Sequence, residues 1–395
     1  MAFDISAQLP KKVLMHELLP RDGLQNAPHV IPAETKLWFI DQCARAGYKS
    51  IEVTNFGHPK FLPQGRDAEE VLKKATDLPS VKDNGVKLKC YGMTRAAFER
   101  GAASAQAGYS PQTMAFTIST EDLHCRRNAG RTRAEYLKEI PNFVKIAREN
   151  GFDIDMALAC VYGSPLAGPV PIENTIELME RGLDMGIRNF TPCDTTGESN
   201  PRRTYEYMSA LVDKFGKHKD VQFRIAHFHD ARGMALANYF ACILAGATLI
   251  ETSLGAGGGQ PQFVVDGVPG VGSGPGYCNT DTRLGNGSTE DVVVMLDEMG
   301  IDIGVDVEKV LQMGRVLEWV FEKPLPPYTT RAGRPIHHPT EWNIKTAGLS
   351  FIPPYSNWTG DWAYPEKYKP ASKEFIANEF KGREYNPGLL GDAGK

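Results

Sequence analysis

The chain has 395 residues, 42% of them hydrophobic, and a formal net charge of −4 from 44 basic and 48 acidic side chains. That size suits one large domain with an extension, and the near balance of charge, without a basic patch, argues against a nucleic-acid partner. No run approaches the roughly 18 apolar residues of a membrane span, and Met1 to Leu19 lacks the apolar core of a signal segment. The seven cysteines, at positions 43, 90, 125, 160, 193, 242 and 278, are odd in number and form no CxxC pair. Reduced thiols in a cytoplasm are therefore expected rather than a disulfide framework.

Short runs rich in β-formers alternate with amphipathic helical patterns along the chain. Strands are expected near 13–18, 50–56, 87–92, 113–119, 153–161, 188–193, 221–228 and 248–253. Helices are expected near 33–46, 67–76, 94–106, 132–150, 172–185, 201–215 and 231–245, then near 288–299 and 306–321. Eight successive strand–helix units predict an α/β fold, a parallel (β/α)8 barrel. The rival, an open doubly wound sheet, more often carries a glycine-rich phosphate turn after its first strand, where this chain has Pro20-Arg21-Asp22-Gly23. Residues 1–322 form the expected barrel domain. From about Lys323 the chain is rich in proline and aromatic residues, including Pro326, Pro327, Trp342, Trp358 and Trp362. The segment 323–395 is expected to pack on the barrel or on a neighbouring subunit of a homo-oligomer, since disordered linkers are poor in aromatics.

A barrel of this kind performs chemistry at the C-terminal ends of its strands. There this sequence places Arg21-Asp22, Glu52, Asn55, Cys193-Asp194 and His227-Phe228-His229, with a stretch of many glycines after the eighth strand. Two histidines one residue apart on a strand project from the same face. Alone they are a weak motif, as often two hydrogen-bonded histidines as a metal site. Asp22, at the end of the strand that closes the barrel, is the natural third ligand. Imidazoles plus a carboxylate suit Mg²⁺ or Mn²⁺, and the planar donors of Arg21 suit an enolate or a carboxylate.

Several longer segments carry a resemblance. They are Pro20-Arg21-Asp22-Gly23-Leu24-Gln25-Asn26, Ile51-Glu52-Val53-Thr54-Asn55-Phe56, Pro59-Lys60-Phe61-Leu62-Pro63-Gln64 and Cys160-Val161-Tyr162-Gly163-Ser164-Pro165. With them come Asp194-Thr195-Thr196-Gly197, His227-Phe228-His229-Asp230 and Gly285-Asn286-Gly287-Ser288-Thr289-Glu290-Asp291. Together they resemble 3-hydroxy-3-methylglutaryl-CoA lyase over roughly residues 13 to 320, within the metal-dependent TIM-barrel lyases and condensing enzymes. The resemblance implies Asp22, His227, His229 and Asn286 as ligands of Mg²⁺ or Mn²⁺, with Arg21, Glu52 and Asp194 as catalytic groups. Gln25 and Asn55 are expected to bind substrate. The implied reaction is a retro-Claisen cleavage. The hydroxyl of a 3-hydroxyacyl-CoA loses its proton, the C–C bond breaks to a keto compound and an acetyl-CoA-type enolate, and an acid protonates that enolate.

The chain departs from the family at three places. Gln260 fills the aligned position of the family's loop cysteine, but the loop is longer here and Cys278 stands eight residues before Asn286, close to the family's separation. Cys278 is therefore expected to be the acid. Ala27-Pro28 replace an acidic and a basic residue, and Asn55 replaces a small hydroxyl residue. These changes at the mouth raise citramalyl-CoA or another hydroxyacyl-CoA as the substrate. Two other readings are open. A condensing enzyme of the isopropylmalate synthase type would share the Asp and His-x-His set, although Leu24 favours a lyase. A binding barrel that has lost its loop acid is the non-enzymatic alternative.

Overall fold

The structure, a computed structural model, describes residues 8–335 apart from positions 26, 28, 61, 165 and most of 260–284, together with 372, 374 and 378. By compactness the chain divides into a unit ending at Arg331 and a second from Ala332. The first unit runs past the expected division after 322. Leu325 is buried there, its N–H is held by Glu318 Oε1 at 2.7 Å, and Arg331 pairs with the same carboxylate.

Eight parallel strands close a barrel: β1 (Leu14–Glu17), β2 (Ser50–Asn55), β3 (Lys87–Tyr91), β4 (Thr113–Ser119), β5 (Asp153–Ala159), β6 (Asn189–Asp194), β7 (Ile225–Phe228) and β8 (Leu249–Thr252). Each lies beside its sequence neighbours, and β1 closes against β8 with Leu14 opposite Leu249. A helix follows each strand: α1 (Ala33–Ala46), α2 (Ala68–Asp77), α3 (Arg95–Gln106), α4 (Ile140–Asn150), α5 (Ile172–Asp184), α6 (Pro201–Phe215), α7 (Ala235–Leu244) and α8 (Thr289–Glu298). A ninth, α9 (Val307–Val320), packs against α1 and α8. The expected barrel is therefore the observed fold.

Period-2 alternation explains why the sheet curls with its apolar face outward. Ile51, Leu88, Cys90, Met114, Phe116, Met156, Leu158, Phe190, Ala226 and Ile250 are buried against the helices. The alternate positions bring His16, Glu251, His227 and Cys193 into register around one side of the barrel. These inward positions are polar, which sets this barrel apart from one filled by branched apolar layers.

Local chemistry moves some boundaries. The expected helix 132–150 is two, Arg133–Leu137 and α4, because Pro141 lacks an N–H and fits only the first turn of a new helix. A further helix, Asp122–Ala129, starts after β4, where the Glu121 side chain accepts the N–H groups of Leu123 and His124. The helix expected from 231 begins at Ala235, whose N–H meets Asp230 Oδ1 at 3.0 Å.

Candidate active site and metal centre

β1 does not run straight into its loop. Residues Leu19–Gly23 form a π-helical turn, a geometry concentrated at functional sites, and it points Arg21 and Asp22 into the mouth. Asp22, His227 and His229 each offer a ligand atom, and these atoms all lie within 4.8 Å of one another. The two imidazoles face each other, Nε2 to Nε2, at 3.3 Å. Asn286 joins them on the segment that bridges β7 and β8. Its neighbour Gly287 donates to Phe228 O at 2.8 Å, and its own N–H donates to Gly257 O at 3.0 Å. The Asn286 amide turns Nδ2 toward Asp22 Oδ2, and its Oδ1 is buried with no hydrogen-bond partner among the described residues.

That orphaned oxygen tests the fit to a cation. A buried amide oxygen without a donor is costly unless something positive meets it. Its own amide lies against the Asp22 carboxylate and its backbone bridges to His229. Among the described residues the set is oxygen and nitrogen with no thiolate, which suits a hard or borderline divalent ion. Gly258, at φ +102°, keeps the space open: a Cβ there would stand 2.6 Å from Asn286 Nδ2 and 2.9 Å from Asp22 Oδ2. The residues present fit the group.

Arg21 lies flat on the Tyr91 ring, its Cζ 3.6 Å from the centroid, and Tyr91 is pinned by donating to Thr117 Oγ1 at 2.8 Å. Its NH1 meets Asp22 Oδ1 at 2.7 Å, and its Nε stands 3.7 Å from Glu52 Oε1. Burial pushes the Glu52 carboxyl up, against the pull of Arg21 and Lys89. Between Glu52 and Thr54 the register of β2 on β3 shifts, and the shift brings Asn55 opposite Tyr91. Asn55 Oδ1 accepts the Gly57 N–H at 2.7 Å, whereas its buried Nδ2 has no partner among the described residues.

Two expected residues are occupied differently. Gln25 donates to Asp22 Oδ1 and, at 3.2 Å, to Gly259 O, so it ties the carboxylate to the glycine-rich stretch. Asp194 stands in register with Phe228, while Cys193 takes the place opposite His227. The Asp194 oxygens accept the N–H groups of Glu198 at 2.8 Å and Ser199 at 3.0 Å, and burial pushes its carboxyl up to about 6. In this structure Asp194 holds a turn beside the mouth. Gln260 and Cys278 lie outside the described residues.

Sequence reasoning missed the polar chain beneath the cluster. His227 Nδ1 meets Glu251 Oε2 at 2.9 Å, Glu251 Oε1 meets Lys89 Nζ at 3.1 Å, and Lys89 meets Asp155 Oδ2 at 2.6 Å. Thr191 donates to Asp155. Burial opposes ionisation of Glu251, but Lys89, His227 and His16 hold its carboxyl well below the usual range. The signal was present: charged residues at inward positions of otherwise apolar strands are rare unless paired.

Strand-end chemistry on a closed barrel defines a class, the enzymes whose catalytic groups ring the C-terminal mouth of a (β/α)8 barrel. Residues 12–317 match the HMGL-like family, and the chain belongs to it. The hydroxymethylglutaryl-CoA lyase YngG of Bacillus subtilis is 34% identical over 320 residues, 80% of this chain and 96% of its own. The mitochondrial hydroxymethylglutaryl-CoA lyase of Bos taurus is 29% identical, with 77% and 84% covered. Among solved structures, the HMG-CoA lyase of B. subtilis superposes with a TM-score of 0.70 at 32% identity, covering 82% of this chain and 98% of that one. An HMG-CoA lyase from A. baumannii, in complex with coenzyme A and 3-methylmalate, gives a TM-score of 0.70 at 25% identity, covering 89% and 99%. The chain is a carbon–carbon lyase of the hydroxymethylglutaryl-CoA lyase type. Among the described residues no helix is long and apolar enough to cross a membrane.

Proposed function

We propose that this lyase cleaves a 3-hydroxyacyl-CoA, 3-hydroxy-3-methylglutaryl-CoA or a close relative, to acetyl-CoA and a keto compound with Mg²⁺ or Mn²⁺ bound. The observation that carries the reading is the convergence of Asp22, His227 and His229, with the Asn286 amide against Asp22 and its Oδ1 unpartnered among the described residues. A divalent cation held by these four would supply Lewis-acid polarisation of the substrate oxygens. Arg21, stacked on Tyr91, presents its guanidinium to the enolate as negative charge leaves the breaking bond. Glu52, buried beside Arg21, orients the substrate hydroxyl and takes part in moving its proton. Asp194 acts through the turn that it holds. Cys278 delivers the proton that turns the enolate into acetyl-CoA. The six described cysteines, all free and buried, are in keeping with a cytoplasmic setting.

The acyl group need not be methylglutaryl. Asn55 brings to the mouth an amide donor with no partner among the described residues, suited to a carboxylate or carbonyl oxygen of a branched, carboxylated chain such as citramalyl-CoA. The A. baumannii relative's complex with coenzyme A and 3-methylmalate supports that second reading.

A panel of 3-hydroxyacyl-CoA thioesters with Mg²⁺ or Mn²⁺, products read by mass spectrometry, decides between them. Cleavage that survives a chelator would remove the cation from the reaction. Cys278→Ala should bind Mn²⁺ normally yet cleave about 10²–10⁴-fold more slowly, the range of a lost general acid. Undiminished cleavage would reassign the acid.

A further inference from the structure

The inward face of the barrel carries charge where an apolar layer would be more stable, and that charge runs unbroken to a proposed metal ligand. Glu251 is 3% exposed and Lys89 8%. Lys89, on β3, reaches Glu251 on β8 and Asp155 on β5 across the barrel interior, at 3.1 and 2.6 Å. Removing two carboxylates and an ammonium from water is costly until their attraction returns it. Packing alone gives no reason for such an arrangement.

The hydrogen bond at its upper end supplies one. The Glu251 carboxylate, 3.1 Å from the ammonium of Lys89, has no proton to give. The 2.9 Å contact of its Oε2 with His227 Nδ1 must therefore use a proton on that nitrogen. Neutral imidazole has one N–H, so Nε2 is left with a lone pair, on the side where it meets His229 Nε2 at 3.3 Å.

We propose that Glu251 is a positioning residue of the metal centre, fixing the ring and the tautomer of His227, with Lys89 and Asp155 holding its carboxylate in place. The proposal deepens the metal reading above and rests on it for its purpose, but not for its test. In protein labelled with ¹⁵N-histidine and free of metal, long-range ¹H–¹⁵N correlation spectra should show His227 protonated on Nδ1, assigned by loss of the signal in His227→Gln. A ring protonated on Nε2 in the wild type would overturn the proposal without any Glu251 variant having to fold. In Glu251→Gln, whose amide can either donate or accept, His227 should become a mixture of tautomers. Its Mn²⁺ affinity, by calorimetry, should fall about 10–100-fold. Unchanged tautomer and unchanged affinity would also overturn it. A wild type that binds no Mn²⁺ would end the metal reading, and the tautomer measurement would still decide the role of Glu251.

Discussion

Two sets of buried carboxylates flank the mouth of this barrel, and their surroundings are opposite. Inside the barrel, Glu251 and Asp155 share the ammonium of Lys89. Outside it, between β1 and α8, Glu17 and Glu290 are paired with no cation among the described residues and accept backbone N–H groups instead. Glu17 Oε1 takes those of Leu19 and Leu254, both at 2.9 Å, and Glu290 takes that of Gly255 at 2.9 Å. Burial pushes the Glu17 carboxyl up to about 7 and that of Glu290 to about 8, with Glu17 itself adding to the latter. The contrast teaches how one residue type serves two ends. The Lys89 ammonium helps to keep Glu251 ionised and able to hold the His227 ring, while the outer pair, whose carboxyls burial raises, braces the Arg21-Asp22 turn and the base of the glycine-rich stretch.

If the inner set serves a metal, damage to the cluster itself should have the largest effect. Asp22→Ala is expected to end cation-stimulated cleavage and to abolish Mn²⁺ binding, read by product formation and calorimetry. Retained Mn²⁺ binding would move the metal elsewhere. Arg21→Met comes next. It removes a donor that acts as charge develops, so kcat should fall about 10²–10³-fold with a smaller change in KM. A loss confined to KM would make Arg21 a ground-state binder and separate it from the charge chemistry of the inner set.

The barrel and the strand ends that carry Asp22, Glu52 and the two histidines were legible because both rest on local pattern. Period-2 strands alternate with helices, and His227-Phe228-His229 declares its shared face without reference to the rest of the fold. Asn286 was legible only through the family likeness, since nothing in Gly285-Asn286-Gly287 says that this segment bridges β7 and β8. What failed to show was register. Asp194 ends its strand as expected, yet pairing places it opposite Phe228 and gives the inward place to Cys193. The irregularity between Glu52 and Thr54 re-aims Asn55, and no residue type there announces it. The chain from His227 through Glu251 and Lys89 to Asp155 joins four strands, so it exists only once the barrel has closed.

The outer set yields the smallest effect and the cleanest sign. Glu17 has an ordinary carboxyl pKa of 4.5 when the chain is unfolded and one of about 7 in the fold. Between those values the unfolded chain has released a proton that the folded chain retains. Stability contributed by that retained proton is complete below about pH 4.5 and is lost as pH rises through about 7. The substitution Glu17→Gln removes the titrating proton and can keep the contacts. The amide oxygen would accept from Leu19 and Leu254, and the amide nitrogen would donate to Thr289 Oγ1, whose own proton can go to Thr252 Oγ1 at 2.8 Å. In Glu17→Gln, Tm should match the wild type near the acid end and exceed it near the alkaline end, measured by calorimetry from about pH 5 to about pH 8. Parallel curves would show that Glu17 is ionised throughout, as Glu251 is, and the distinction between the two sets would fail.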